Sequence, residues 1–102
     1  MMNINGYKPE AGYPDGAPYR QYMAVLSGVL ATLGAKIAWR LRVYGQPVGR
    51  QERFDEILAI WYPSHQAFLD FAAAPDAKEN YRLRALCVER AVIHRCGGEL
   101  GE

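Results

Sequence analysis

Several features are missing from this sequence, and each absence argues against a class of protein. No apolar run approaches the roughly 18 residues that indicate a membrane span. The N-terminal segment MMNINGYKPEAG lacks the basic start and apolar stretch of a signal peptide, so we expect a cytoplasmic protein. The net charge is only +1, whereas nucleic-acid-binding modules usually concentrate basic residues on one face. We therefore expect neither a membrane nor a nucleic acid as a partner.

Residues that bind metals are also scarce. The chain has two cysteines and two histidines, and no carboxylates cluster beside the histidines. Cys87 and Cys96 show none of the CxxC or Cys/His spacings that are typical of zinc sites. A haem would need an axial ligand, for which only His94 is suitably placed. We expect no metal and no cofactor, and two free thiols in preference to a disulfide.

The composition is that of an ordinary globular protein. Of the 102 residues, 50% are apolar and 23% are charged, which predicts one folded domain over residues 1–102. The charge is divided unevenly, because residues 1–50 hold six basic and two acidic side chains and residues 51–102 hold six and nine. Such a bipolar chain could pair with itself, within one fold or across a dimer.

The first half of the chain predicts a strand, a helix and a second strand. Residues 2–8 alternate weakly as a short strand, with Asn3, Asn5 and Tyr7 on one side and Ile4 and Gly6 on the other. A helix begins at Pro18 and ends at Gly34, with an apolar stripe of Tyr19, Tyr22, Met23, Leu26, Leu30 and Leu33. Residues 36–49 then alternate as a strand. Its apolar face is predicted to carry Ile37, Trp39, Leu41 and Val43, and its basic face Arg40 and Arg42.

The second half predicts another strand, a broken helix and a last strand. Residues 54–62 are apolar on both faces, which predicts a central strand paired with the preceding one as an antiparallel hairpin. Pro63 ends that strand, and Ser64 is suited to cap a helix N-terminus. The predicted helical stripes are Ala67, Phe68, Phe71 and Ala72, and, after an interruption at Pro75, Tyr81, Arg84, Ala85 and Val88. A strand over residues 90–96 and a polar tail, GGELGE, complete the chain.

The element order β-α-β-β-α-β is that of the ferredoxin-like α+β fold. In this fold two helices cover one face of a four-stranded antiparallel sheet. The opposite face of the sheet would remain bare. Because the strand over residues 54–62 is apolar on both sides, we expect a second copy of the chain to cover it, sheet against sheet. The sequence therefore predicts a homodimer.

The segment YPSHQAFLDFAAAPDAKENYRLRA resembles the corresponding segment of the domain-of-unknown-function-1330 family. The similarity extends to GAKIAWRLRVYGQPVG, to RFDEILAI and, more loosely, to MNINGYK, so it covers nearly the whole chain. The resemblance implies a dimeric α+β barrel, in which two ferredoxin-like sheets close around a central cavity. Structural relatives of that family include cofactor-independent monooxygenases, muconolactone isomerase and haem-binding chlorite dismutases. Many family members have an acid and a histidine where this chain has Trp61 and Leu83, which argues against catalysis.

Arg40 and Arg42 are the first candidates for a ligand site, because they share one face of a predicted strand. Turned into a barrel, they would form an anion-binding wall, since guanidinium groups bind carboxylates bidentately. Two alternatives remain open. The arginines could lie in solvent at a sheet edge, or they could pair with Glu56 across the hairpin.

The other candidates for a pocket are Asn3, Trp61, Tyr81, Arg84 and His94. Tyr81 and Arg84 match a Tyr…Arg pair of the family, and the resemblance implies a place at the cavity mouth or in the dimer contact. Trp61 is expected in the core or the interface, with an aromatic wall for a flat ligand as the alternative. His65 follows the predicted helix cap, so we expect an exposed residue without a catalytic role.

Three functions remain open at this point. The first is a homodimer that binds a small organic ligand, which could be an anion, in a cavity between helices and sheet or inside the barrel. The second is a cofactor-independent monooxygenase or isomerase that uses the cavity as a dry reaction chamber. The third is a structural or interaction role, with the barrel filled by side chains. Convergence of Asn3, Glu56 and His94 on one closed space would favour the first two.

Overall fold

The computed structural model describes residues 1–97, and its strands and helices follow the predicted order. The strands are β1 (Met2–Tyr7), β2 (Lys36–Arg42), β3 (Glu56–Trp61) and β4 (Val88–His94), and the α-helices are α1 (Ala17–Thr32), α2 (His65–Leu69) and α3 (Ala77–Cys87). Short 3₁₀ helices occupy Pro9–Ala11 and Asp70–Ala73. Most of the predicted polar tail, residues 98–102, lies outside the described residues. Within residues 1–97, no helix is long and apolar enough to cross a membrane.

The four strands form one antiparallel sheet in the order β2-β3-β1-β4. The strand β1 lies between β3 and β4, and β2 and β3 form the predicted hairpin. This strand order, with α1 and α3 in the two crossover connections, is that of the ferredoxin-like fold. The prediction of an α+β fold with a four-stranded antiparallel sheet is therefore confirmed.

The helix α1 begins and ends where the sequence predicts. Pro18 lies in its first turn, where the missing N–H needs no partner. Gly34 follows the C-terminal cap and takes a left-handed φ of +69°, which allows the chain to turn toward β2. The residues that α1 buries are Tyr19, Tyr22, Met23, Leu26, Val29 and Leu30. This is the predicted stripe, except that Val29 joins it and Leu33 is only half-buried.

The buried side of α3 is shifted by one position along the sequence from the predicted stripe. It consists of Ala77, Asn80, Leu83 and Cys87. The predicted stripe through Tyr81 and Ala85 is wrong, because both side chains are exposed. The prediction followed apolar residues, whereas the buried face of α3 includes the polar residue Asn80. The apolar pattern of the sequence therefore does not coincide with the face that packs.

A β-bulge in β2 changes which side chains face the helices. Ile37 pairs with Ile60, and Trp39 pairs with Ala59, which leaves Ala38 as the extra residue. Ile60 is buried beneath the helices, whereas Ala59 points to the other side of the sheet. The prediction that Ile37 and Trp39 share a face is therefore wrong, since one extra residue moves the following side chains to opposite faces.

The two faces of the sheet have different surroundings. The side covered by helices buries Asn3, Asn5, Tyr7, Glu56, Leu58 and Ile60. Arg40 and Arg42 lie on this side as well, opposite Leu58 and Glu56 in the strand register. The other side, which we call the open sheet face, exposes Trp39, Leu41, Trp61 and Val92. One layer of helices covers only one side of the sheet, so an apolar surface stays uncovered.

Replacing Leu58 by alanine should destabilise the fold strongly. Leu58 is 1% exposed at the centre of the sheet, and its truncation leaves a cavity that typically lowers the free energy of unfolding by about 2–5 kcal/mol. Chemical denaturation measures this loss. The control Val48→Ala shortens a side chain that is 91% exposed and should change stability by less than about 0.5 kcal/mol. Equal effects of the two substitutions would contradict this description of the core.

Candidate functional site

A cavity of about 300 Å³ lies between the covered side of the sheet and the helices. Its apolar lining includes Leu26, Leu58, Ile60, Phe68, Phe71 and Ile93. Leu69 and Tyr81 also line it and are 55% and 47% exposed, which marks the cavity mouth. Ligand pockets in proteins usually measure about 300–1,000 Å³. The cavity is therefore large enough for a small organic molecule.

Polar side chains reach this cavity from β1 and from α3. Asn3 and Asn5 point into it because alternate residues of a strand face the same side. Asn80 and Arg84 point into it because helical residues four positions apart lie on one face. The three asparagines are buried, with exposed fractions of 9%, 6% and 2% in chain order. Buried amides need hydrogen-bond partners, so these amides restrict which ligands the cavity can accept.

Arg84 is the only charged residue in the cavity lining, as far as residues 1–97 form it. Its guanidinium group lies near the hydroxyl of Tyr22. Burial raises the pKa of Tyr22 to about 12, and the positive charge of Arg84 acts against that rise. The ion pairs within the described part of the chain involve Arg53, Arg82 and Arg90 and leave Arg84 without a carboxylate partner.

Asn80 has a buried oxygen without a partner. Its Oδ1 accepts no hydrogen bond from any residue between 1 and 97. Its backbone N–H donates to the carbonyl oxygen of Asp76 at 2.9 Å, so the helix around it is properly formed. A buried acceptor that stays unpaired lowers stability by about 1–3 kcal/mol. A ligand that donates a hydrogen bond to this oxygen would remove that loss.

A hydrogen-bonded cluster of Tyr7, Tyr19, Arg40 and Glu56 adjoins the cavity, and we call it the Glu56 cluster. Glu56 is 3% exposed. Its Oε1 accepts a hydrogen bond from Tyr7 Oη at 2.7 Å, and its Oε2 accepts one from Tyr19 Oη at 2.6 Å. Arg40 Nη1 donates to Tyr19 Oη at 3.0 Å. The buried carboxylate is therefore satisfied by donors from β1 and α1, as an ionised group away from water requires.

Asn5 connects the Glu56 cluster to the cavity. Tyr7 gives its only proton to Glu56, so its oxygen is left as an acceptor, and Asn5 Nδ2 donates to it at 3.3 Å. The carbonyl Oδ1 is then the end of the Asn5 amide that remains for the cavity. Asn3 Nδ2 donates to the carbonyl oxygen of Met1 at 3.5 Å. Each of these two amides therefore donates within the chain and keeps an oxygen that can accept a hydrogen bond.

The structure distributes the predicted site residues over four places. The cavity is lined by Asn3, Tyr81 and Arg84, the Glu56 cluster contains Arg40 and Glu56, and the open sheet face carries Trp61 and His94. Arg42 lies over the ring of Tyr13, with Cζ 6.0 Å from the ring centroid. Asn3, Glu56 and His94 do not converge on one space, because His94 pairs with Met2 on the side that faces away from the helices.

Arg40 and Arg42 face the helices and point away from the open sheet face. They therefore do not line the space that would lie between two sheets packed face to face. Arg40 instead reaches Glu56 through the hydroxyl of Tyr19. Of the alternatives drawn from the sequence, the sheet edge describes the two arginines best, because β2 is an edge strand and both side chains are exposed.

Among the polar residues of the cavity lining, sequence reasoning missed Asn5, Tyr22, Tyr62 and Asn80. Asn5 shares the alternation of Asn3, and this signal could have identified it. Nothing local marks Asn80, because its burial depends on the rotation of α3 about its axis. His65, at the start of α2, is exposed and stacks on Phe68 with ring centroids 5.9 Å apart. Among residues 1–97, no three metal-ligating side chains come together.

Two solved structures have a similar fold. A crystal structure of RPA0582, a protein of unknown function from Rhodopseudomonas palustris, is 27% identical, with a TM-score of 0.73 and coverage of 89% of this chain and 74% of that chain. A crystal structure of methylated RPA0582 protein is 28% identical, with a TM-score of 0.79 and coverage of 99% and 81%. No family model matches this sequence. No curated protein matches it either.

The Glu56 cluster should make the protein less stable in alkali. Burial and the Glu56 carboxylate raise the pKa of both Tyr7 and Tyr19 above the ordinary value of 10.0. With folded-state pKa values raised, the folded chain keeps protons that the unfolded chain releases. The stabilisation is therefore complete below pH 10 and declines as the pH rises above it. Each tyrosine contributes at most about 1.4 kcal/mol per pH unit to that decline.

Denaturation from about pH 9 to about pH 12 measures the effect. Tyr7→Phe removes one of the raised tyrosine titrations and should make the decline shallower. It should also destabilise the protein at neutral pH by about 1–3 kcal/mol, because Glu56 loses a donor. Tyr44→Phe, which alters a side chain that is 89% exposed, serves as the control. The same slope in wild type and Tyr7→Phe would show that Tyr7 does not hold its proton in the way described.

Proposed function

We propose that this protein is a small cytoplasmic homodimer that binds a small organic anion in the cavity between the helices and the sheet. The observation that carries the proposal is the position of Arg84. Its guanidinium group lines a cavity whose other lining residues, within residues 1–97, are uncharged. A cation in such surroundings favours a counter-charge, and the ion pairs of the described chain do not supply one.

The geometry of a guanidinium group indicates which anion suits the site. Arginine presents a planar pair of donors that matches the two oxygens of a carboxylate. One positive charge balances one carboxylate, whereas a phosphate would bring up to two negative charges. The hydroxyl of Tyr22, near Arg84, could donate a further hydrogen bond to the same group. We therefore propose a monocarboxylate.

The remaining lining favours an apolar body on the ligand. Phe68 and Phe71 enclose the cavity on the helix side, and Leu58 and Ile60 form its floor on the sheet. Burial of apolar ligand surface contributes about 25 cal/mol per Å², so these side chains favour a hydrocarbon or aromatic body. A small aromatic acid combines this apolar body with a carboxylate that can pair with Arg84.

A cofactor-independent enzyme is the less supported alternative. A general base must lie within hydrogen-bond reach of the proton that it removes. Glu56 already accepts hydrogen bonds from two tyrosines, which favours a structural role. His65 is exposed on α2, and His94 is on the side of the sheet that faces away from the cavity.

We also propose that a second copy of the chain covers the open sheet face. The exposed fractions of Trp39, Leu41, Trp61 and Val92 are 42%, 55%, 53% and 40%. Exposed apolar side chains that are contiguous on one surface are typical of protein interfaces. A twofold dimer uses the same surface on both chains, so it needs no other partner. These side chains would fill the space between the two sheets, and each anion site would lie on the helix side.

We retain membership in the domain-of-unknown-function-1330 family as a proposal. Tyr62, Tyr81 and Arg84 belong to the segment that carries the resemblance, and all three line the cavity. Contribution to the anion site would explain why the resemblance to the family is carried by this segment. The dimeric barrel that the resemblance implies is consistent with the exposed apolar side chains of the open sheet face.

Arg84→Met should weaken the binding of a small aromatic carboxylate by about tenfold or more, because a hydrogen-bonded charge pair is lost. Isothermal titration calorimetry with benzoate measures this on the full chain. The matched control is Arg82→Met on the same helix, where Arg82 pairs with Glu79 at the surface. Benzyl alcohol, the uncharged analogue, should bind wild type and Arg84→Met equally. Unchanged benzoate affinity in Arg84→Met would contradict the proposed anion site.

Ala59→Asp should prevent dimer formation. Ala59 lies near the middle of the open sheet face, where it pairs with both Met2 and Trp39. A charge buried there without a partner would be strongly unfavourable. Light scattering after size-exclusion chromatography should find a dimer for wild type and for Ala24→Asp on the exposed side of α1. It should find a monomer or unfolded chain for Ala59→Asp, and a folded dimer would count against this interface.

A further inference from the structure

We infer that the ligand carries a hydrogen-bond donor, either a hydroxyl or an amino group, in addition to its carboxylate. This inference rests on the proposed function and deepens it, because it specifies the chemistry of the ligand away from Arg84. The cavity lining combines one arginine with the side-chain amides of buried asparagines. A small carboxylic acid with a hydroxyl or amino substituent is the class of molecule that matches both.

The unpaired oxygen of Asn80 is the first observation. Asn80 is 2% exposed and lines the cavity, and its Oδ1 has no donor among residues 1–97. A ligand with a plain hydrocarbon body would leave this oxygen unpaired, and a second carboxylate would repel it. A hydroxyl or amino group would donate the missing hydrogen bond.

The orientation of Asn5 is a second observation, and it does not depend on Asn80. Because an amide can be turned over, its direction has to follow from its neighbours. Tyr7 gives its proton to Glu56 at 2.7 Å, so the Tyr7 oxygen needs a donor, and Asn5 Nδ2 supplies it at 3.3 Å. The Glu56 cluster thereby positions Asn5 with its carbonyl oxygen available to the cavity. Glu56 and Tyr7 act here as positioning residues.

These acceptors also determine the direction in which the ligand binds. Amide oxygens repel a carboxylate, whereas Arg84 attracts it, so the carboxylate lies at Arg84 and the donor lies toward the asparagines. Asn80 and Arg84 are one helical turn apart on α3. Side chains at that spacing have Cβ atoms about 5–6 Å apart. A single small molecule can therefore contact both residues.

Isothermal titration calorimetry with benzoate and its three monohydroxy isomers tests the inference. We expect at least one hydroxybenzoate to bind wild type about tenfold more tightly than benzoate, because it pairs an oxygen that benzoate leaves unpaired. Asn80→Leu, which keeps the number and branching of the heavy atoms, should abolish this preference while benzoate still binds.

The outcomes separate this inference from the proposed function. If benzoate binds and no isomer binds more tightly, or if Asn80→Leu keeps the preference, the inference is overturned and the anion site stands. If none of the four acids binds wild type, the proposed function itself is overturned. Should Asn80→Leu fail to fold, Asn80→Ala provides the same comparison, because it also removes the amide oxygen without adding bulk.

Discussion

The burial of the Glu56 carboxylate is the constraint on which the rest of the structure depends. An ionised group that is 3% exposed is stable only when donors surround it. Tyr7 on β1 and Tyr19 on α1 provide those donors, one to each oxygen. Three elements that are distant in sequence, β1, α1 and β3, are thereby joined at one point. Because both phenols give their protons to the same carboxylate, the two tyrosines and Glu56 behave as one unit.

The same cluster gives the cavity its polarity. The proton of Tyr7 goes to Glu56, so Asn5 turns its amino group toward Tyr7 and keeps its carbonyl oxygen as an acceptor. Arg84 enters from α3 and adds the single positive charge. A cavity with acceptors on one side and a cation on another distinguishes between the two ends of a small polar acid. The open sheet face instead exposes tryptophan and aliphatic side chains and suits contact with a second chain.

The order of strands and helices could be predicted because it depends on local signals. Pro18 and Gly34 delimit α1 through effects confined to single residues. The wrong predictions concern which side chains of a strand or helix face the core, because packing against neighbouring elements decides this. The bulge at Ala38 and the burial of Asn80 have no local signature, because each depends on a neighbouring element. For the site, a family resemblance identified Arg84 as a candidate. The other residues that line the cavity with it are distant in sequence, so the sequence alone did not group them.

The most direct test of the anion site is solution NMR of the full chain during titration with a hydroxybenzoate. The measurement follows the side-chain N–H signals of the arginines and the amide signals of the asparagines. We expect saturable shifts of the Arg84 Nε–H and the Asn80 side-chain amide, with one binding constant for both. The signal of Arg82, which lies on the same helix and pairs with Glu79 at the surface, should not move. Shifts confined to Arg82 and other surface arginines, or no saturable shift of Arg84, would contradict binding in this cavity.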